Sequence, residues 1–221
     1  MKMTREQNIF LARRNIVDYI FKSAKMEGFG VTFPETDVIF NGMTAPGIPV
    51  DEVIAINNLK RAWQYMLSTL DEKVDFDYLS KLNRFVGGDN LIIGSGQIRK
   101  MAVSIGGTTW QPEIPVVETI NLKMIQILKQ EDATLRALEM MLFCMRGQFF
   151  NDGNKRTAML LANKLMIDHG QGIISIPIAK QLKFKQLLTD FYETADDRRI
   201  TKFLLENCIE LMDFSKINEN Y

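Results

Sequence analysis

Gly147-Gln148-Phe149-Phe150-Asn151-Asp152-Gly153-Asn154-Lys155-Arg156 places an acid, a flexible glycine, an amide and two cations in one turn that runs straight into a helix. A helix N-terminus presents unpaired N–H groups and a partial positive charge, and so attracts phosphate. Gly153 lets the backbone curl so that successive N–H groups converge on an anion. Asn154 belongs to that cradle, Arg156 can fork onto phosphate oxygens, and Lys155 adds a point charge. Bare phosphate would repel Asp152, which makes sense as a ligand for a Mg²⁺ ion bridging the phosphates. Phe150 is expected to point inward and anchor the loop. An Asn-Asp-Gly-Asn turn between two helices, its charges solvated, is the plainer reading of the same residues.

These side chains need rigid elements on both sides. From Leu135 to Met145 the chain is apolar almost all round, as a helix at the centre of a bundle is. Beyond the turn, Ala158, Leu161, Ala162, Leu165 and Met166 define a second helix that Gly170 ends. Upstream, Ile9, Phe10, Ile16, Val17, Ile20 and Phe21 share one face of a first helix that stops near Gly28 and Gly30. Pro34 and Thr36–Phe40 read as a short helix closed by Asn41-Gly42. A long helix follows from about Val50, with Ile56, Leu59, Trp63, Met66 and Leu70 as its core stripe. Ile200, Phe203, Leu204, Cys208 and Leu211 mark the last helix. Connections read as short, and no repeat or linker interrupts the pattern.

One segment departs from helical period. Val103 and Ile105 alternate with polar residues such as Ser104, Gly106-Gly107 suits a two-residue turn, and Thr108-Thr109-Trp110 suits a returning strand. A lone hairpin is marginal in water and must pack on the helical body. Its edge can offer backbone groups to an extended peptide, or the hairpin can simply cover the core.

The bulk numbers fit a mainly α protein of 221 residues, 46% hydrophobic and 24% charged. Lys+Arg and Asp+Glu both number 27, so there is no general pull toward nucleic acid or anionic membrane. No apolar run reaches signal-peptide or membrane-spanning length. Cys144 and Cys208 sit among apolar residues and read as buried free thiols in a reducing cytoplasm. One histidine, His169, and no Cys/His cluster argue against a structural zinc site.

Phe150-x-Asp152-Gly153-Asn154-Lys155-Arg156 resembles the active-site motif of the Fic (Fic/Doc, or Fido) family, written His-x-Phe-x-Asp/Glu-Gly-Asn-Gly/Lys-Arg-x-x-Arg. The segment Ile98-Arg99 through Gly106-Gly107-Thr108-x-Trp110-x-Pro112 is similar to the family's flap, and the likeness extends over roughly Thr36 to Ile176. It implies a mostly α, Fic-type bundle with a small hairpin flap beside the active-site loop. The core would span about 50–190 of a single 1–221 domain, with N-terminal helices 4–42 and a C-terminal helix 197–213 packed on it. It also implies Mg²⁺ with ATP or a related nucleotide, and transfer of AMP or another phosphate-containing group to a Ser, Thr or Tyr hydroxyl. In that scheme Asp152 holds the metal, Gly153, Asn154, Lys155 and Arg156 hold the phosphates, and Val103 to Thr108 hold a target protein. Lys155 matches Doc-like members, some of which transfer a phosphoryl group.

Three positions depart from the family pattern. Gln148 stands where the catalytic histidine belongs, Met159 where a second arginine belongs, and Phe40 where the glutamate of an inhibitory Ser/Thr-x-x-x-Glu motif begun by Thr36 belongs. An amide is no general base. His169 cannot replace one, because it lies about 13 residues beyond Arg156, roughly 20 Å along the same helix; it reads as a partner of the helix C-terminus. The readings that follow are a nucleotide binder with impaired transfer, an active transferase using Asp152 or a water as acceptor, and a slow nucleotide hydrolase.

Overall fold

Thr4 begins the first helix with a reciprocal cap: Gln7 N–H donates to Thr4 Oγ1 at 3.2 Å and Thr4 N–H to Gln7 Oε1 at 2.9 Å. In the computed structural model, which describes residues 2–214, α1 (Arg5–Arg14) and α2 (Ile16–Met26) are separate helices. The single first helix read from periodicity is therefore broken. Asn15 leaves helical geometry at φ −110°, ψ 13°, and its amide donates to Glu210 Oε1 at 2.7 Å. A second capping box, Thr32 with Glu35, opens α3 (Phe33–Phe40) ahead of the expected Thr36, and α4 spans Val50–Ser68.

Three further helices complete the frame around the loop: α5 (Phe76–Val86), α6 (Val117–Ile127) and α9 (Gln181–Thr194). The central pair is α7 (Ala133–Gly147) and α8 (Asn154–Asp168), which pack on each other more extensively than any other two elements. Both bury nearly every face, as their apolar composition requires; Leu138, Met141, Leu161 and Met166 are fully enclosed. A side chain of this size contributes about 1.5–3 kcal/mol when buried. One continuous apolar core draws on Leu11 and Ile20, on Trp63 stacked against Tyr19, and on Leu204.

α10 (Arg198–Asn207) ends before the expected 213. Beyond it, β2 (Ile209–Glu210) pairs antiparallel with β1 (Ile173–Ile174), Ile174 opposite Ile209. Asn163 of α8 brackets that pair, donating to Ile174 O at 2.9 Å and accepting from Ile174 N–H at 2.7 Å. Such tertiary ties draw the chain out of a helix that its periodicity would have extended. Met1 and residues 215–221 lie outside the described residues.

The mainly α architecture thus holds, with β1–β2 the only sheet among the described residues. The flap keeps its turn at Gly106-Gly107, with Gly107 at φ 83°, but its arms form no ladder. The connection from α5 to α6, residues 87–116, is also long and irregular, against the expectation of short connections. Both cysteines are buried free thiols. His169 caps the end of α8, its Nδ1 lying 3.0 Å from Leu165 O.

Candidate active site

α7 ends at Gly147, which has no room for a side chain: a Cβ there would fall 2.1 Å from the Phe149 ring. Gln148 then takes the left-handed conformation, φ 45° and ψ 56°, and turns the chain into the loop. Its amide is committed to protein atoms. Nε2 donates to Met145 O at 2.6 Å and lies 3.5 Å from the Tyr192 hydroxyl, while Oε1 accepts from Asn154 at 3.2 Å. Phe149 and Phe150 both point into the core, and Phe150 stacks on Phe76 with ring centroids 5.7 Å apart.

Asn154 closes the loop on itself. Phe150 N–H donates to its Oδ1 at 2.9 Å, and its Nδ2 donates to Phe150 O at 2.8 Å. The Asn154 side chain is therefore engaged with the loop. Gly153 precedes it at φ 77°, in close-packed surroundings: a Cβ would lie 3.0 Å from Val86 and 3.1 Å from both Asn83 and Ile92. No side chain caps α8, so its first N–H groups and its dipole face the loop's open side.

Arg156 is buried beneath that helix start. Its Nη2 lies 3.5 Å from Asp152 Oδ2, and its Nε has no hydrogen-bond partner. Asp152 is exposed, with Oδ1 accepting from Gly153 N–H at 2.6 Å. Lys155 Nζ lies 3.5 Å from Glu27 Oε1, just past α2, and that oxygen is buried without a hydrogen bond. Next to Arg156, a small cavity of about 20 Å³ is lined by Met26, Leu59, Trp63 and Met159. Met159 extends this apolar wall. Phe40 lies apart, under the Lys60 ammonium at 4.7 Å.

Two residues hold the site together: Asn83, which no motif includes, and Arg99, which the flap segment includes but to which it gives no role. Asn83 of α5 donates to Asp152 O at 3.0 Å and to Thr157 Oγ1 at 3.1 Å, and accepts from Gly96 N–H at 2.8 Å. Arg99 is almost wholly buried. Its backbone N–H donates to Phe149 O at 2.9 Å, and its guanidinium donates to the carbonyls of Gln148, Met101, Pro112 and Glu113. Both ends of the flap are thereby tied to the loop through one side chain. Burial lowers the Arg99 pKa from its ordinary value.

The flap residues Val103 and Ile105 are half-buried, Ser104, Gly106 and Gly107 are exposed, and Thr108 turns back toward α9. At the end of α9, burial raises the Tyr192 phenol well above its usual range; a hydrogen bond with Gln148 opposes this and the Glu27 charge adds a smaller rise. Tyr192 is a proton-holding group near Gln148 and no base.

The loop thus brings together an uncapped helix start, a buried arginine and an exposed carboxylate beside a tethered flap. Residues 73–166, which contain both loop and flap, match the model of the Fic/DOC family. That stretch, rather less than half of the chain, is what the chain shares with the family. Protein adenylyltransferase fic-1 of Caenorhabditis elegans is 25% identical over 177 residues, 75% of this chain and 34% of that protein. Protein adenylyltransferase Fic of Aedes aegypti is 25% identical over 212 residues, 88% of this chain and 40% of that protein. The chain thus spans little more than a third of the length of these relatives. Among solved structures, Fic-1 (aa134–508) from C. elegans superposes with a TM-score of 0.78 at 23% identity, covering 90% of this chain and 62% of that one. A Fic domain containing signaling protein from Bacteroides thetaiotaomicron gives 0.71 at 17%, covering 92% and 85%. At these identities the structural likeness establishes the fold. Among the described residues no helix is long and apolar enough to cross a membrane.

Proposed function

We propose that this chain binds a Mg-nucleotide by its phosphates at Gln148–Arg156 and belongs to the protein adenylyltransferase type, with transfer impaired at Gln148. The observation that carries the reading is the buried Arg156 Nε without a partner beneath an uncapped helix start. An unpaired buried guanidinium nitrogen is costly unless a ligand completes it. The donor set fits the group: Gly153 supplies the curl, the α8 N–H groups and Arg156 the phosphate contacts, and exposed Asp152 an oxygen for Mg²⁺. Bound Mg²⁺ would neutralise phosphate charge. Lys155 meets the phosphates only by sharing its charge with Glu27.

For AMP transfer, a Ser, Thr or Tyr hydroxyl of a target held at the flap would attack the α-phosphorus of ATP, breaking its bond to the bridging oxygen so that pyrophosphate leaves, and the hydroxyl must lose its proton. Where a base is needed the loop offers the Gln148 amide, which has no basic atom and is bound to Met145 O and Asn154. Loss of a general base costs about 10²–10⁴ in rate. Phosphate-transfer chemistry leans mainly on positioning and electrostatics, and the exposed carboxylate of Asp152 favours a second reading, in which the transferase stays active with Asp152 as acceptor.

The test uses α-labelled ATP, Mg²⁺ and cell lysate with the wild type and Gln148→His. Silent wild type and a labelling variant support the first reading, whereas robust wild-type labelling sinks it. If the wild type labels and Asp152→Ala abolishes it, the second reading stands.

A further inference from the structure

We propose that Glu193 is a positioning residue for the flap: it latches the arm Thr108–Trp110 onto the last turn of α9 and leaves Ala102–Ile105 as the open edge. Thr108 Oγ1 donates to Glu193 Oε1 at 2.6 Å and Thr109 Oγ1 to Oε2 at 2.9 Å, and the Thr109 backbone N–H also donates to Oε1. Trp110 N–H folds back onto Thr108 Oγ1 at 3.0 Å. The Arg146 guanidinium sits over the Trp110 ring, 3.7 Å from its centroid, and donates to Tyr192 O at 3.0 and 3.2 Å. The Thr108 and Thr109 hydroxyls and the Thr109 and Trp110 backbone N–H groups are therefore spent on α9 or on the arm itself.

The other arm is different. Among the described residues the backbone groups of Ala102 to Gly107 make no hydrogen bond with the protein. A row of unpaired N–H and C=O groups in extended chain is what a peptide strand joins. Since Thr109 N–H is occupied, an incoming strand has only the Ala102–Ile105 side. That use of the edge by a peptide rests on the function proposed above; the latch itself does not.

Glu193 is oddly placed for any purpose internal to its helix. A carboxylate in the last turn lies at the negative end of the dipole and disfavours the helix, and that turn carries no basic residue. The contacts it gains are all to the flap. The Thr108 hydroxyl foremost, then the Thr109 N–H, hold its carboxyl below the usual range. The neighbouring Tyr192 reaches Gln148, so one turn of α9 touches both the flap and the loop.

Residue-resolved amide exchange on the protein alone, without nucleotide or partner, tests the latch in the wild type, Glu193→Ala and Glu193→Gln. The Thr109 amide should exchange at least about tenfold faster in Glu193→Ala, as loss of a charge-assisted hydrogen bond requires. Gln, which keeps an acceptor, should restore part of that protection. Ala102 to Ile105 should exchange fast in all three. Glu193 is on the surface, so the melting temperature should hardly move. Equal Thr109 exchange in the wild type and Glu193→Ala, or protected Ala102–Ile105 amides in the wild type, overturns the proposal. Because no nucleotide is present, such a failure leaves the phosphate-site reading standing, and failure to bind nucleotide leaves the latch standing.

Discussion

The Asn154 side chain and the Phe150 backbone are bonded in both directions, N–H to Oδ1 at 2.9 Å and Nδ2 to carbonyl at 2.8 Å. One amide thus replaces a turn of regular backbone pairing and fixes the distance between the apolar anchor and the start of α8. Asn154 is itself buried, so water cannot stand in for it.

Asn154→Ala should therefore destabilise the fold by about 1–3 kcal/mol, the cost of leaving buried backbone groups unsatisfied. For a chain of this size each kcal/mol lowers the melting temperature by roughly 2–4 °C. Thermal unfolding followed by circular dichroism measures the effect. Asn154→Asp should recover less than half, since a carboxylate accepts from Phe150 N–H but cannot return a donor.

Gly153→Ala meets two obstacles at once. The left-handed conformation costs a non-glycine residue about 1–2 kcal/mol, and the new Cβ presses on Val86, Asn83 and Ile92 at 3.0–3.1 Å. Urea unfolding should show a lower midpoint with an unchanged slope. The displaced Asn83 should also loosen its bond to Asp152 O.

Arg99→Lys tests whether a positive charge suffices between flap and loop. A lysine ammonium cannot fork onto four separate carbonyls as the planar guanidinium does. Loss of even one charge-assisted bond costs about 1.5–3 kcal/mol, so the variant should unfold at clearly lower denaturant than the wild type. Flap and loop amides should exchange faster together, because Arg99 joins Met101, Pro112 and Glu113 to Gln148.

Acid should release the flap late. The folded-state pKa of Glu193 lies below its ordinary 4.5, so the latch is complete above that pH and is lost as pH falls through the depressed value. Peptide-level exchange over 106–112, corrected for the intrinsic pH dependence of exchange, should stay constant from neutrality down to pH 4.5 and quicken only below it.

The loop was legible because its chemistry is contiguous: Asp152, Gly153, Asn154, Lys155 and Arg156 are adjacent in sequence, between two strongly apolar helical stretches. What holds it was not. Asn83 and Glu193 are brought to it by tertiary folding, and Arg99, though it opens the flap segment, carries no local sign of the four carbonyls it binds. Asn83 left one usable trace, since it lies in a helix that Asp75 caps and whose stripe Phe76, Leu79, Leu82 and Val86 is regular. For the flap, alternation and Gly106-Gly107 located the turn, but strand pairing lost to bonds with Glu193 and Arg99. The breaks at Asn15 and after Asn207 follow likewise from contacts with Glu210 and β1, which periodicity does not contain.

The central claim, a phosphate cradle retained without its base, is tested most directly by titrating Mg-ATP into the wild type and Arg156→Ala in a calorimeter. Wild type should bind in a Mg²⁺-dependent manner, and Arg156→Ala should bind at least about tenfold more weakly, as loss of a charge-assisted bond to phosphate implies. Absence of binding by the wild type, or equal affinity in the variant, would contradict the account.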